Sequence, residues 1–294
     1  MGQTHSPLRY PGGKSCLLPL ITAILCENGL RLPHYAEPYA GGASLALALL
    51  FGGQVSDIHL NDVDAGIWSF WHSVLNDTDA LVDLIETVNV TVPEWRTQRE
   101  IYRKNDLSDP LKLGFATFFL NRTNRSGIIG TGGVIGGLTQ EGNYKIDCRF
   151  NKDELTRRIK RIRKYKSRIH LTRLDALQFL QCDSGIFPKR TFLAIDPPYF
   201  AKGSSLYTSF YSPHDHADVA QAVLALDRPW ILTYDAAAEI SALYGERPQF
   251  LFDIKYSLQT KRTGSELLIS SSDLKLPDVI RHKQVDHTTF CEAA

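Results

Sequence analysis

Apolar positions along the first sixty residues fall into two rhythms. Short stretches near His34 and from Val55 to Leu60 read as strands, and the apolar run Ala43 to Phe51, bracketed by glycines, reads as a buried helix. Strand, glycine turn, helix, second strand and an acidic end, NDVD, through Asp64 make half of a doubly wound α/β unit. The pattern returns after Ser167: RIHLT is strand-like, Asp175 to Leu180 helix-like, and Thr191 to Ile195 and Trp230 to Tyr234 are again strand-like. Between Ala65 and Lys166 strand signals vanish, and IWSFWHSVL, ALVDLIETV and LGFATFFL carry helical spacing. The expectation is one α/β sheet domain over 1–65 and 167–275, a mostly helical inserted lobe over 66–166, and a polar, weakly structured tail over 276–294.

Two local signals refine the lobe. SGIIGTGGVIGGLTQEGN, from Ser126 to Asn143, is so rich in glycine that it predicts a mobile loop or small hairpin of the kind that contacts ligands. Asn151 followed three residues later by Glu154 predicts an N-cap and capping box for the basic helix leading back to the sheet.

Composition adds exclusions. At 294 residues, 43% hydrophobic and 22% charged, the chain has the makeup of a globular protein with room for a catalytic domain and a second lobe. Its longest apolar run is far shorter than the roughly 20 residues of a membrane helix, and the N-terminus lacks a signal-peptide-like stretch, so a reducing cytoplasm is expected. Five isolated cysteines, Cys16, Cys26, Cys148, Cys182 and Cys291, form no zinc-like spacing and read as packing residues, and no metal is expected. The net charge of +1 conceals ten Lys or Arg residues between Lys152 and Arg173, which suit either DNA phosphates or a solvated helix face.

The segment that carries chemistry is LAIDPPYF, Leu193 to Phe200, where an apolar strand runs into Asp196, Pro197, Pro198 and Tyr199. Strand ends are where α/β sites sit. Two prolines stiffen the backbone and remove two amide donors, leaving carbonyl oxygens and a carboxylate as acceptors beside an aromatic ring. Such a set suits an amino group; a tight turn after a strand is the plain alternative.

The chain resembles the Dam-like, class-alpha family of DNA adenine-N6 methyltransferases over roughly residues 7 to 270. The resemblance is carried by Arg9-Tyr10-Pro11-Gly12-Gly13-Lys14, Ala36-Glu37-Pro38-Tyr39-Ala40-Gly41-Gly42, Asn61-Asp62, Arg173-Leu174-Asp175-Ala176 and the Asp196 motif, all in class-alpha order. It implies a Rossmann-like sheet that binds S-adenosylmethionine (AdoMet), with Tyr10, Lys14, Glu37, Pro38, Tyr39, Gly41, Asp62, Asp175 and Asp196 contributing to the cofactor site. Within it, Lys14 is matched to the AdoMet carboxylate, Asp62 to ribose hydroxyls or to a helix cap, and Asp175 to the cofactor's adenine or to another helix cap. The absence of a GxGxxG fingerprint accords with a cofactor that has no pyrophosphate. Asn121-Arg122-Thr123-Asn124-Arg125-Ser126-Gly127 resembles the family's target-recognition sequence, which makes Asn121, Arg122, Thr123 and Arg125 candidates for DNA contact, to bases or to phosphates.

The implied chemistry is direct methyl transfer to the exocyclic amine of a flipped-out adenine in double-stranded DNA. Asp196 and the Pro197 carbonyl would accept the N6 hydrogens, Pro198 would stiffen the turn, and Tyr199 would stack on the base. Tyr207, Tyr211, Thr233-Tyr234-Asp235 and Lys261-Arg262-Thr263-Gly264-Ser265 would close over base or DNA, although Tyr207 and Tyr211 have helix-packing spacing too. Cytosine-N4 methylation, RNA adenine methylation, glutamine methylation of a protein and a non-catalytic DNA-binding regulator are the rival readings. Any restriction endonuclease would be a separate polypeptide, and the sequence does not disclose oligomeric state.

Overall fold

The computed structural model describes residues 5–9, 14–181, 188–200, 211–256, 262–281 and 284; of 253–256, 262–265, 279 and 281 only the backbone is described. Tyr10, Gly12, Gly13, Tyr207, Lys261, Cys182 and Cys291 lie outside the described residues. The chain divides into two compact units, one of residues 1–13, 41–44 and 62–173, the other of 14–40, 45–61 and 174–294.

The strands are β1 (His34–Glu37), β2 (Asp57–Asn61), β3 (Ile169–Thr172), β4 (Thr191–Ile195), β5 (Trp230–Asp235), β6 (Gln249–Tyr256) and β7 (Arg262–Ser270). They form a seven-stranded sheet in the order β3-β2-β1-β4-β5-β7-β6, the mixed Rossmann-like sheet of a methyltransferase fold. Pairing is parallel from β2 through β1 and β4 to β5, then antiparallel for β7 against both β5 and β6. The register sets Asp235 opposite Glu266.

The second unit carries these strands except β3, together with α1 (Leu18–Glu27), α2 (Ser44–Phe51), α8 (Ala176–Gln181), α9 (Pro213–Leu224), α10 (Ala238–Leu243) and α11 (Asp278–Arg281). Helix α2 is the predicted buried run: Leu45 through Leu50 are all enclosed, as apolar residues on every face demand. Helix α9 opens on a capping box in which Ser212 and Asp215 satisfy each other's backbone amides. Part of the stretch read as tail is ordered, since α11 follows Pro277 and Gln284 bridges Phe250.

The first unit contains α3 (Ala65–Asn76), α4 (Thr78–Thr87), α5 (Val92–Lys104), α6 (Pro110–Thr123) and α7 (Lys152–Arg163). Its core is aromatic: Phe70 stacks on Phe118 at 5.7 Å between centroids, and Phe150 packs at 5.5 Å from both Phe118 and Phe119. Side chains cap α3, α5 and α6 at their N-termini: Asp64, Thr91 and Asp109 accept from the amides of Ile67, Glu94 and Lys112. Asn151 caps α7 by accepting from the Glu154 amide at 3.0 Å, but Glu154 turns to Arg157 and Arg158 and so does not complete the expected capping box. The glycine-rich stretch folds back through an antiparallel bridge between Asn124 and Val134. Gly127, at φ +78°, lies so close to Arg9 that an added Cβ would meet the Arg9 carbonyl oxygen at 2.2 Å, which explains the glycine there.

Candidate active site and recognition face

Strand β4 carries Asp196 out at its C-terminal end, and β5 beside it supplies Thr233, whose hydroxyl donates to Asp196 Oδ1 at 2.8 Å. The other oxygen, Oδ2, meets the Lys14 ammonium at 3.0 Å. Lys14 also donates to the Tyr199 hydroxyl at 2.7 Å and lies 3.6 Å from Glu266 Oε2, while the Tyr199 hydroxyl donates to Glu266 Oε1 at 2.5 Å. The cluster thus holds an N–H cation between two carboxylates. Burial disfavours the ammonium, yet the carboxylates of Asp196 and Glu266 overcome that penalty and raise Lys14 above the ordinary lysine range.

Two placements stand apart from the expectations for this motif, and one further residue joins it. Lys14, matched in sequence to the AdoMet carboxylate, is held here by protein carboxylates. Tyr199, expected to stack on a base, is only 4% exposed, because its hydroxyl is drawn inward by Lys14 and Glu266. Its ring faces the Lys14 ammonium at 5.1 Å. Glu266 escaped the sequence reading altogether; its signal was one acid opening the apolar run ELLIS on the last strand. Pro197 is buried and Pro198 half-buried in the same turn, whose end is fixed by the Phe200 amide donating to Asp235 Oδ1 at 2.9 Å.

At the end of β1, Glu37 is enclosed. Its Oε1 accepts from the Tyr35 hydroxyl at 2.9 Å and from the Ala46 amide in the first turn of α2 at 3.2 Å. Burial pushes its carboxyl up to about 8, against the opposing pull of these hydrogen bonds. The Pro38 carbonyl accepts from Asn61 at 3.0 Å. Tyr39 and Tyr211 share a hydroxyl–hydroxyl hydrogen bond of 3.1 Å, which ties Tyr211 to the first glycine motif.

Within the other unit, Asp62 shapes a turn. Its Oδ2 accepts from the Gly41 amide at 2.9 Å and its Oδ1 from the Asp64 amide at 3.0 Å, while Gly41 sits at φ +45° and its carbonyl accepts from the Trp71 indole at 2.8 Å. Burial, then the neighbouring Asp64, raise the Asp62 carboxyl to about 7. The sequence alternative of a helix cap belongs to Asp64, not to Asp62. Asp175 is exposed and accepts from the Leu177 amide at 2.8 Å, the cap geometry at the start of α8.

The expected recognition residues separate into two groups. Asn121 and Thr123 are fully buried: Asn121 bonds the Arg9 backbone and the Gly127 carbonyl, and Thr123 returns its hydroxyl to Phe119. Arg122 donates to the carbonyls of Arg149 and Pro7, and burial, followed by Arg9, Arg158 and Arg149, lowers its guanidinium to about 9. These three brace the lobe from inside. Arg125 alone of the four is exposed, beside Arg96, Arg99 and Arg103 of α5 around a recess also lined by Leu138. Arg99 lies over the Trp95 ring at 4.9 Å, Arg103 pairs with Glu100, and Arg96 and Arg125 have no side-chain partner among the described residues. Several cations of the basic stripe of α7 have partners in the chain: Lys152 is bonded to the carbonyls of Glu86 and Val88, and on the surface Lys160 pairs with Glu86 and Arg163 with Asp79.

A family model described as D12 class N6 adenine-specific DNA methyltransferase matches residues 10–262. No curated protein sequence matches the chain. Among solved structures, similarity is found to a Pyrococcus horikoshii protein described as a candidate RNA methyltransferase (10% identity, TM-score 0.42, covering 91% of this chain and 87% of that one). It is found also to TrmN from Thermus thermophilus (13%, 0.39, 87% and 48%) and to the rRNA methyltransferase aviRa from Streptomyces viridochromogenes (12%, 0.37, 90% and 87%). The chain spans about half the length of TrmN. Among the described residues no helix is long and apolar enough to cross a membrane.

Proposed function

From the premise that the chain belongs to the D12 class N6 adenine-specific DNA methyltransferase family, we propose that it methylates N6 of a flipped-out adenine at a specific site in double-stranded DNA. The observation that carries this reading is the way Asp196 holds a nitrogen donor: one oxygen is pinned by Thr233 and the other receives N–H hydrogens from Lys14.

An adenine amino group is a poor nucleophile because its lone pair is delocalised into the ring. A fixed carboxylate that accepts one N6 hydrogen, with the Pro197 carbonyl as second acceptor, localises that lone pair. Thr233 keeps the carboxylate from rotating, and Phe200 bound to Asp235 keeps the turn from sliding. After transfer the amine carries an excess proton, for which Asp196 is the base at hand.

AdoMet, when bound, supplies an electrophilic methyl on a sulfonium. The residues present fit such a cofactor: Asp62, while holding the Gly41 and Asp64 amides, has lone pairs left for hydroxyls, and half-exposed Val63 beside it offers an apolar face. Asp62 is proposed for the ribose hydroxyls, and Glu37, Pro38, Tyr39 and Asp175 are proposed as further cofactor contacts, whereas Lys14 stays with the Asp196 carboxylate. Arg125 and Arg96 are proposed to meet DNA, since their guanidinium groups are not spent within the described residues.

The test is to incubate the purified chain with AdoMet and mixed-sequence duplex DNA, digest to nucleosides and identify products by mass spectrometry. N6-methyldeoxyadenosine is expected. N4-methyldeoxycytidine would overturn the substrate, and methylation of RNA alone would overturn DNA as the partner.

A further inference from the structure

We propose that Glu266 is a positioning residue that offers the Lys14 ammonium a second carboxylate, so that Asp196 Oδ2 can be released to the incoming amino group. The inference rests on the adenine-N6 reading above, because it concerns how the acceptor needed by that reaction becomes available.

Asp196 Oδ1 accepts from Thr233 and Oδ2 is engaged by Lys14, so an arriving amine must share or displace the lysine. Moving a buried ammonium away from its only counter-ion would be costly. Glu266 removes that obstacle. Its side chain is 1% exposed, its Oε2 lies 3.6 Å from Lys14 Nζ, and its Oε1 is fixed by the Tyr199 hydroxyl. Closing 3.6 Å to the ~2.8 Å of a charge-assisted hydrogen bond requires less than an ångström of travel.

Tyr199 acts as the pivot of this shift, since its oxygen accepts from Lys14 while its hydrogen is given to Glu266, and both bonds survive a small swing of the ammonium. Strand register explains why a carboxylate stands there: Glu266 is directly opposite Asp235, the last residue of β5. The lysine therefore remains neutralised at either carboxylate, and no proton or charge need leave the cluster for Asp196 to exchange one N–H donor for another.

Glu266→Gln keeps the shape and an acceptor for Tyr199 but removes the alternative negative charge, whereas Glu266→Asp keeps the charge on a shorter stem. Methylation kinetics of the full chain on duplex DNA should show kcat reduced about 10- to 100-fold in Glu266→Gln, the scale of one hydrogen bond to a charged group, and substantially restored in Glu266→Asp. AdoMet affinity, followed by calorimetry, should change little in either. Glu266→Gln with wild-type kcat would overturn the proposal, as would a Glu266→Asp variant that folds, by its melting curve, and is as slow as Glu266→Gln. A wild-type chain that methylates no DNA base would overturn the reading beneath it, an outcome visible before any variant is made. Should Glu266→Gln fail to fold, Glu266→Asp decides by the same kinetics: a kcat close to wild type supports the proposal, and a loss above 100-fold removes it.

Discussion

Asn121 grips Arg9 by both sides of its peptide backbone, accepting from the Arg9 amide at 2.7 Å and donating to the Arg9 carbonyl at 2.8 Å. A side-chain amide thereby does for one residue what a neighbouring strand would do, and a third bond to the Gly127 carbonyl at 2.9 Å ties the same asparagine to the recognition turn. Asn121→Ala should therefore destabilise the chain by about 2–4 kcal/mol, the cost of leaving several buried backbone groups unsatisfied. Denaturant melts would check this; a loss of DNA affinity with unchanged stability would instead place Asn121 on the DNA.

Asp196→Ala should reduce turnover by about 1,000-fold or more, because the group that localises the amine lone pair is gone, while AdoMet binding is largely kept. Product formation and calorimetry, measured on the same preparation, separate the two effects. An active Asp196→Ala chain would end the mechanism as written.

Glu37 predicts a pH dependence of stability. Its carboxyl is pushed up to about 8 in the folded chain, so the folded state holds a proton that the unfolded chain releases near pH 4.3. Stability from this group is therefore full below about pH 4 and declines as pH rises towards 8. Glu37→Gln should flatten that decline, and melting temperatures from pH 5 to 8 for both chains would show it; parallel curves would mean that Glu37 is not the source.

The recognition face predicts a contrast in salt dependence. Arg96→Ala and Arg125→Ala should each lower the slope of log affinity against log salt by about 1 if each guanidinium neutralises one phosphate. Lys160→Ala should leave the slope nearly unchanged, since its ammonium already faces Glu86. DNA titrations from low to moderate salt decide between α5 and α7 as the phosphate-facing helix; equal slopes for all three variants would return the stripe to the interface.

Much of this architecture is legible from period and punctuation. Thr191–Ile195 shows as an apolar strand because burial on both faces leaves no polar alternation, and the glycines after Tyr39 mark the turn that Asp62 holds. Helix α5 was not, because VPEWRTQREIYRK has few apolar positions and packs with little more than Trp95 and Gln98 buried. At the site, a motif gives residue types but not the direction of side chains. Asn121 and Arg122 look like recognition residues in one dimension and are bonded to backbone within the chain, since buried backbone needs donors and acceptors as much as DNA does. Glu266 was hidden for the opposite reason: it lies 70 residues from Asp196, and only the antiparallel return of β7 brings them to one lysine.

The chain has four tryptophans, and Trp95 is the one whose indole is coupled to the recognition turn. Its N–H donates to Asn124 Oδ1 at 2.7 Å, and the amide of that asparagine holds the carbonyls of Ile128 and Ile129 at 2.7 and 3.0 Å. Opening of the turn would break this chain of bonds and admit water to the indole. Trp95 thereby contributes a component of the emission that reddens when the turn opens, so a change in this part of the protein can be followed by light as nucleic acid is added, without any attached dye.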